Sequence, residues 1–238
     1  MTLDLADIGD FAIALGDIPG TLARIEAQAD GLRHLLCLGG EHGITLPLLR
    51  ALTRRLGKGL VGKDLALVHF DAHVGTWPDC FGQEFGQGSV FWHAIQEGLV
   101  DPRRIIQIGI RSPVRRDVWD WTVGQGVTIL AALEVHTMGV AAVVDRIRAV
   151  VGETRAYLSF DIDTLDPAYA PGTGTPEVGG LATWQAQAVL RGAHFVGMDV
   201  VEVAPAYDHA EITALAAATV VWEYLALVGE AGASLTVA

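Results

Sequence analysis

Cysteine is scarce in this chain: Cys37 and Cys80 are the only two, and no paired-cysteine motif contains them. A disulfide-stapled fold is thereby set aside, and free thiols in a reducing compartment are expected. Basic residues are also few. Sixteen Lys and Arg against 28 Asp and Glu leave a formal net charge of −12. That balance argues against a phosphate-binding surface and against nucleic acid as a partner. Charged residues make up only 18 % of a chain that is 51 % hydrophobic, with mean hydropathy +0.37, so extensive burial is expected, subunit interfaces included. No signal peptide is visible in the acidic opening MTLDLAD, which points to the cytoplasm. No membrane span is expected either. The most apolar stretch, Ala214 to Val228, is interrupted by Glu223 and reads as a buried helix too short for a bilayer. No G-x-S-x-G elbow exists and neither cysteine sits beside a histidine base, which disfavours serine or cysteine nucleophile chemistry.

What is present is an alternation of β-type runs and helical patterns over 238 residues, a length that suits one domain, 1–238, with a full core. The patterns predict strands at Phe11–Leu15, His34–Leu38, Leu65–Phe70, Ile105–Ile110, Val127–Leu130, Ala156–Phe160 and Phe195–Val201. They predict helices at Thr21–Ala29, Thr45–Leu56, Val90–Glu97, Val114–Trp121, Val140–Val151, Trp184–Arg191 and Ala210–Leu227. Strands separated by single helices give crossover units, hence an α/β fold with a mostly parallel sheet and helices on both faces. The segment Gly57–Asp64, GKGLVGKD, fits G-x-G-x-x-G and nearly fits a P-loop. It closes a helix and enters a strand, the reverse of what both motifs need, and reads as a connector.

In parallel sheets, ligands bind beyond the carboxyl ends of the strands. In SFDIDTLDPAYAPGTGTPEVGG, Ser159 to Gly180, a strand-like run delivers Asp161 and Asp163 two residues apart and therefore on one face. Two like charges that close need a cation between them, or one must stay protonated. LALVHFDAHVG repeats the arrangement with Asp71 and His73, and His42 and Glu202 also follow predicted strands. A metal site is the leading idea.

The blocks LGGEHGIT, VHFDAHVGTW, SFDIDTLDPAYAPGTGTPEVGGL and MDVVEVAPAYD resemble, in order, the signatures of the ureohydrolase superfamily, the arginases and agmatinases. The resemblance runs from about Asp7 to Leu227 and is nearest to the agmatinase-like branch. It implies a three-layer αβα sandwich, usually a trimer or hexamer, that hydrolyses a guanidino or similar C–N bond of a small substrate and releases urea. It further implies paired divalent ions, whose role is to lower the pKa of a shared water so that hydroxide exists near pH 7. By motif, His42, Asp71 and Asp161 would hold the first ion. Asp71, His73, Asp161 and Asp163 would hold the second, and Glu202 would pair with the substrate's guanidinium. Oxygen-rich donors with two imidazoles and no thiolate suit manganese, with nickel, cobalt, iron and zinc as alternatives.

Four departures from the family pattern accompany these matches. The motif D-A-H-x-D has Gly75 at its last position, so the first ion lacks a carboxylate and occupancy below two ions per chain is expected. Losing a partner even beyond the direct ligands typically costs about 10- to 100-fold in affinity or activity. Gln87, in GQGSVFWHA, replaces the histidine that shuttles protons to the leaving group, and an amide cannot titrate. General acid–base work of that kind is worth about 10² to 10⁴-fold. Glu41 replaces the usual aspartate beside the metal histidine. Finally, the chain starts near the segment DIGD, without the strand that precedes it in the family and lies inside the sheet; since its absence would leave neighbouring strands unpaired, either another segment or chain is expected to fill the gap or the sheet is expected to be rearranged.

The other polar residues have duller readings. His69 shares parity with Asp71 and His73, but no motif recruits it, and it is read as structural. His93, His136, His194 and His209 are read as helix or loop residues. Trp77 and Cys80 either line a pocket or pack, and Arg103, Arg104, Arg111, Arg115 and Arg116 read as a solvated or interface cluster. Three functional readings follow: a weakened, metal-dependent agmatinase-like hydrolase; an inactive subunit that partners an active homologue; and a binder of guanidino compounds.

Overall fold

The computed structural model describes residues 3–56 and 65–232; Gly57–Asp64, the expected connector, lies outside them. Among the described residues, six parallel strands form one sheet: β1 (Leu36–Leu38), β2 (Leu65–Phe70), β3 (Ile105–Ile110), β4 (Thr128–Ala131), β5 (Arg155–Asp161) and β6 (Phe195–Val201). Their order is β1-β6-β5-β2-β3-β4. The helices are α1 (Ile18–Ala29), α2 (Thr45–Leu56), α3 (Val90–Gln96), α4 (Arg116–Gly124), α5 (Ala132–Met138), α6 (Val140–Val151), α7 (Thr183–Leu190) and α8 (Ile212–Gly232). Every residue of β2, LALVHF, and of β3, IIQIGI, is buried, as continuous apolar runs covered on both faces require.

Strand parity divides the core into two. Ala66, Val68 and Phe70 of β2 pack with Val143 and Ile147 of α6, Val189 of α7 and Val220 of α8. Leu65 and Leu67 face the other way, toward Leu22 of α1, Leu49 of α2 and Phe91 of α3. The three-layer αβα sandwich follows directly. The chain leaves β2 toward β3 and leaves β5 toward β6, in opposite directions, so the crevice above the adjoining ends of β2 and β5 is where such sheets bind ligands.

The N-terminal expectation fails. Phe11–Leu15 is not a strand; instead the Gln28 amide brackets Ala12, accepting from its N–H at 2.9 Å and donating to its carbonyl at 3.0 Å. A side-chain amide of α1 thus takes the place of a neighbouring strand. The inner strands are paired: among the described residues, β6, β5, β2 and β3 each have partners on both sides, and β1 stands at an edge. α5 was not anticipated by its pattern. α8 exceeds its predicted span and is long and apolar enough to cross a membrane by length and composition, and only 28 % of its apolar window is buried. Ala216, Ala217, Val220 and Tyr224 of that helix are buried in the core. Arg111 is not a solvated residue: its half-buried guanidinium donates to the carbonyls of Asp163 at 2.7 Å and Glu177 at 2.6 Å, tying the long loop after β5 to the sheet.

Candidate metal centre

Asp71, Asp161 and Glu202 come from the carboxyl ends of β2, β5 and β6, and a turn after each of β1, β2 and β5 adds His42, His73 and Asp163. Gly39 leads β1 into the turn that carries His42; a Cβ there would overlap Ile44 Cδ1, so a larger residue would require that side chain to shift. The Glu41 carboxylate caps that turn by accepting from Gly43 N–H at 2.7 Å. It therefore supports the backbone of His42 without reaching the cluster.

The five expected ligands converge. His42 Nδ1 lies 3.0 Å from Asp161 Oδ2 and 3.3 Å from Asp71 Oδ2. His73 Nδ1 lies 3.0 Å from Asp163 Oδ2 and 3.2 Å from Asp71 Oδ1. Asp71 therefore sits between the two imidazoles. Backbone donors aim the carboxylates: His73 N–H reaches Asp71 Oδ1 at 2.6 Å, Asp163 N–H reaches Asp161 Oδ1 at 2.9 Å, and Ala72 N–H reaches Asp163 Oδ1 at 2.9 Å. Asp71 and Asp161 are almost wholly buried, and so is Asp163.

Three carboxyl groups buried this close together shift one another's ionisation. Burial, then the charges of Asp163 and Asp71, push the Asp161 carboxyl far above its usual range, and burial followed by Asp71 raises Asp163. Asp71 is held well below the range: burial opposes ionisation, but His69, His42 and His73 together outweigh it. Burial also opposes protonation of His73, yet hydrogen bonds to Asp163 and Asp71 raise it to about 11. Two clusters of donor atoms could hold a divalent ion, His42 with His69 and Asp71, and His73 with Asp71 and Asp163, and the His73 imidazolium lies where such an ion would neutralise the same carboxylates. The donor set fits a hard or borderline divalent ion.

A cavity of about 450 Å³ opens over the cluster, lined by His42, Asp71, His73 and Asp161 at its floor and by Trp77 and Gln87 on its wall. Cys80 also lines it, so the pocket reading holds for both Trp77 and Cys80. Glu202 is placed differently. It stands beside the cavity with Oε1 accepting from His42 N–H at 2.7 Å, in a left-handed conformation with φ 65°. Such backbone costs about 1–3 kcal/mol and gathers at functional sites. Gly75 borders the cavity at φ 59°, and a Cβ there would lie 2.8 Å from Phe91 Cδ2.

His69 does more than fill space. Its Nε2 lies 2.8 Å from Asp71 Oδ2, and Gln107 Nε2 approaches its Nδ1 at 3.2 Å while also donating to Val74 O. Since the Gln107 N–H is a donor, Nδ1 accepts and Nε2–H donates to the carboxylate. Burial lowers the His69 pKa to about 4, so the ring is neutral and orients Asp71 as a dipole.

A profile of the Arginase family matches residues 1–226 of this chain. The chain belongs to the Arginase family. Within it, the agmatinase of Escherichia coli O7:K1 is 46 % identical over 230 residues, covering 94 % of this chain and 70 % of that protein. The agmatinase of Photorhabdus laumondii is 47 % identical over 232 residues, covering 94 % and 71 %. Among solved structures, proclavaminate amidino hydrolase from Streptomyces clavuligerus superimposes with TM-score 0.84 at 38 % identity, over 92 % of this chain and 73 % of that one. Formimidoylglutamase from Bacillus subtilis gives TM-score 0.84 at 25 % identity, over 93 % and 71 %. Members of the Arginase family depend on divalent metal, and this chain, which falls with the agmatinase-like ureohydrolases of that family, has His and Asp groups that could hold one.

Proposed function

We propose that this Arginase-family chain hydrolyses the C–N bond of a small guanidino cation, agmatine or a close relative, releasing urea, and does so at a reduced rate. The observation that carries the reading is the closure of Asp71, Asp161 and Asp163 around His42 and His73 beneath a cavity. A bound divalent ion, for which manganese is the choice by donor type, supplies Lewis acidity and an activated water. His73, Asp163, Asp71 and Asp161 form the better-provided half of the site. His42 would share Asp71 and Asp161 with a second, weaker ion, because residue 75 offers no carboxylate.

The chain's own side chains account for the rest. Glu202 has one carboxylate oxygen engaged by His42 N–H, which leaves Oε2 for a guanidinium. Gln87 on the cavity wall can hydrogen-bond a leaving amine but cannot give it a proton, so that transfer falls to solvent. A single domain, a cytoplasmic location and a homo-oligomeric trimer or hexamer belong to the same proposal. Exposed Trp184, Leu215 and Trp222 on α7 and α8 support the assembly.

A second reading, an inactive subunit that co-assembles with an active homologue, is favoured by Gly75, where Phe91 occupies the space a side chain would need. One assay separates the two. Urea release is measured across several guanidines with manganese-loaded protein, and metal is quantified on the same sample. Slow release that Asp163→Asn abolishes supports the hydrolase. No release from metal-loaded protein refutes it, and co-purification with an active homologue would then support the partner reading.

A further inference from the structure

We propose that Asp199 is a positioning residue which, through Ser159, holds His42 with its hydrogen on Nε2 and its Nδ1 turned toward the carboxylate cluster. The inference rests on reading that cluster as a metal site. Asp199 lies inside the sheet on β6, and strand register sets it directly across from Ser159 on β5. Both are two residues short of their strands' carboxyl ends and share the face of Asp161, so they form the layer beneath the ligands.

The direction of the hydrogen bonds follows from counting protons. Thr45 Oγ1 donates to Asp199 Oδ2 at 2.9 Å, and the Tyr157 hydroxyl donates to the same oxygen at 2.8 Å. Ser159 Oγ donates to Asp199 Oδ1 at 2.8 Å. A serine has one hydrogen, and here it is spent on the carboxylate. Thr45 Oγ1, its hydrogen also spent on Asp199, lies 3.4 Å from Ser159 Oγ and donates nothing to it; Ser159 Oγ therefore accepts in its contact 2.8 Å from His42 Nε2, which places the hydrogen on that nitrogen. The nitrogen left to coordinate is Nδ1, the one that faces Asp71 and Asp161. Asp199 and Ser159 are fully buried, and among the described residues no basic side chain is a hydrogen-bond partner of Asp199. A buried carboxylate sustained by three hydroxyl donors is an expensive feature in a sheet interior, and it ends on one ring nitrogen. Were the carboxyl instead protonated toward Ser159, the chain of donors would reverse and His42 would carry its hydrogen on Nδ1, facing the site and blocking it.

The test labels the eight histidines with ¹⁵N and reads ring protonation from two-bond ¹H–¹⁵N correlations with zinc as a diamagnetic probe. His42 is assigned by the signals lost in His42→Asn, and zinc uptake is measured by equilibrium dialysis. The parent is expected to show protonated Nε2 and metal-shifted Nδ1 at His42. Ser159→Ala and Asp199→Asn are expected to lose that pattern and to bind the His42-side ion about 10- to 100-fold more weakly. Tyr157→Phe, which removes a different donor from the same carboxylate, keeps the pattern and shows that lost packing alone does not erase it. Zinc-loaded parent with a hydrogen on Nδ1, zinc uptake that leaves the His42 signals unmoved, or variants identical to parent would each overturn the inference. A parent that takes no zinc would refute the metal reading itself, and the inference with it.

Discussion

Restoring a carboxylate at position 75 is a demanding test because the structure predicts a cost before any benefit. Gly75 sits at φ 59°, and a Cβ there would lie 2.8 Å from Phe91 Cδ2 and 3.2 Å from Cε2. The left-handed conformation costs an ordinary residue about 1–2 kcal/mol. Phe91 cannot swing away freely: it is fully buried, 4.2 Å from the His69 ring and 5.4 Å from the His42 ring between centroids. Overpacking of that kind costs about 1–3 kcal/mol. Metal-free Gly75→Asp should therefore be less stable by about 2–5 kcal/mol, or roughly 4–20 °C in melting temperature for a chain of this size. Gly75→Ala, without the carboxylate, should lose a similar amount, and adding Phe91→Leu to Gly75→Asp should recover the steric part. Thermal melts in chelator check these values. Manganese titration of the relieved double variant should then show the weaker ion tightened at least about 10-fold. A metal-free Gly75→Ala that melts with the parent would refute the steric argument, and a relieved variant with unchanged manganese affinity would refute the missing-ligand argument.

Other consequences are more direct. Asp161→Asn should abolish binding of at least one divalent ion by dialysis while leaving metal-free stability equal or higher, because burial and the charges of Asp163 and Asp71 already disfavour that carboxylate. Gln87→His should raise urea release about 10²-fold or more and introduce a titration near neutrality in the rate profile. The metal-free protein should lose stability with rising pH. His73 has its folded pKa raised to about 11, so its contribution is complete below the unfolded value near 6.5 and disappears between there and 11. Denaturant titrations in chelator from pH 6.5 to pH 9.5 should show the decline, with a slope of at most about 1.4 kcal/mol per pH unit from this group. His73→Gln should flatten it.

The strands that hold the site were legible because burial on both faces makes them continuous apolar runs: β2, β3 and β6 occupy the predicted spans residue for residue. The carboxylates were legible for a related reason, since polar groups at the ends of such runs have no ordinary packing role. Phe11–Leu15 misled because β-propensity needs a neighbouring strand to act upon, and the Gln28 amide serves Ala12 instead. α5 was hidden by its seven-residue length and by Gly139, which ends it and begins α6. The supporting layer of the site was the least readable. Gln107, His69, Ser159 and Asp199 come from β3, β2, β5 and β6 and meet only through sheet register. A signal did exist: each of His69 and Ser159 is a polar residue inside an apolar run, two positions before a ligand and on the same face.

The claim on which the account turns is that these buried carboxylates and imidazoles are built for divalent ions and are unequally provided on their two sides. Equilibrium dialysis of purified, chelator-stripped protein against manganese, with metal and protein quantified together, measures it. One tightly held ion per chain, lost in Asp163→Asn, with a second at least about 10-fold weaker, is the predicted result. Two ions held equally tightly, or none, would contradict it.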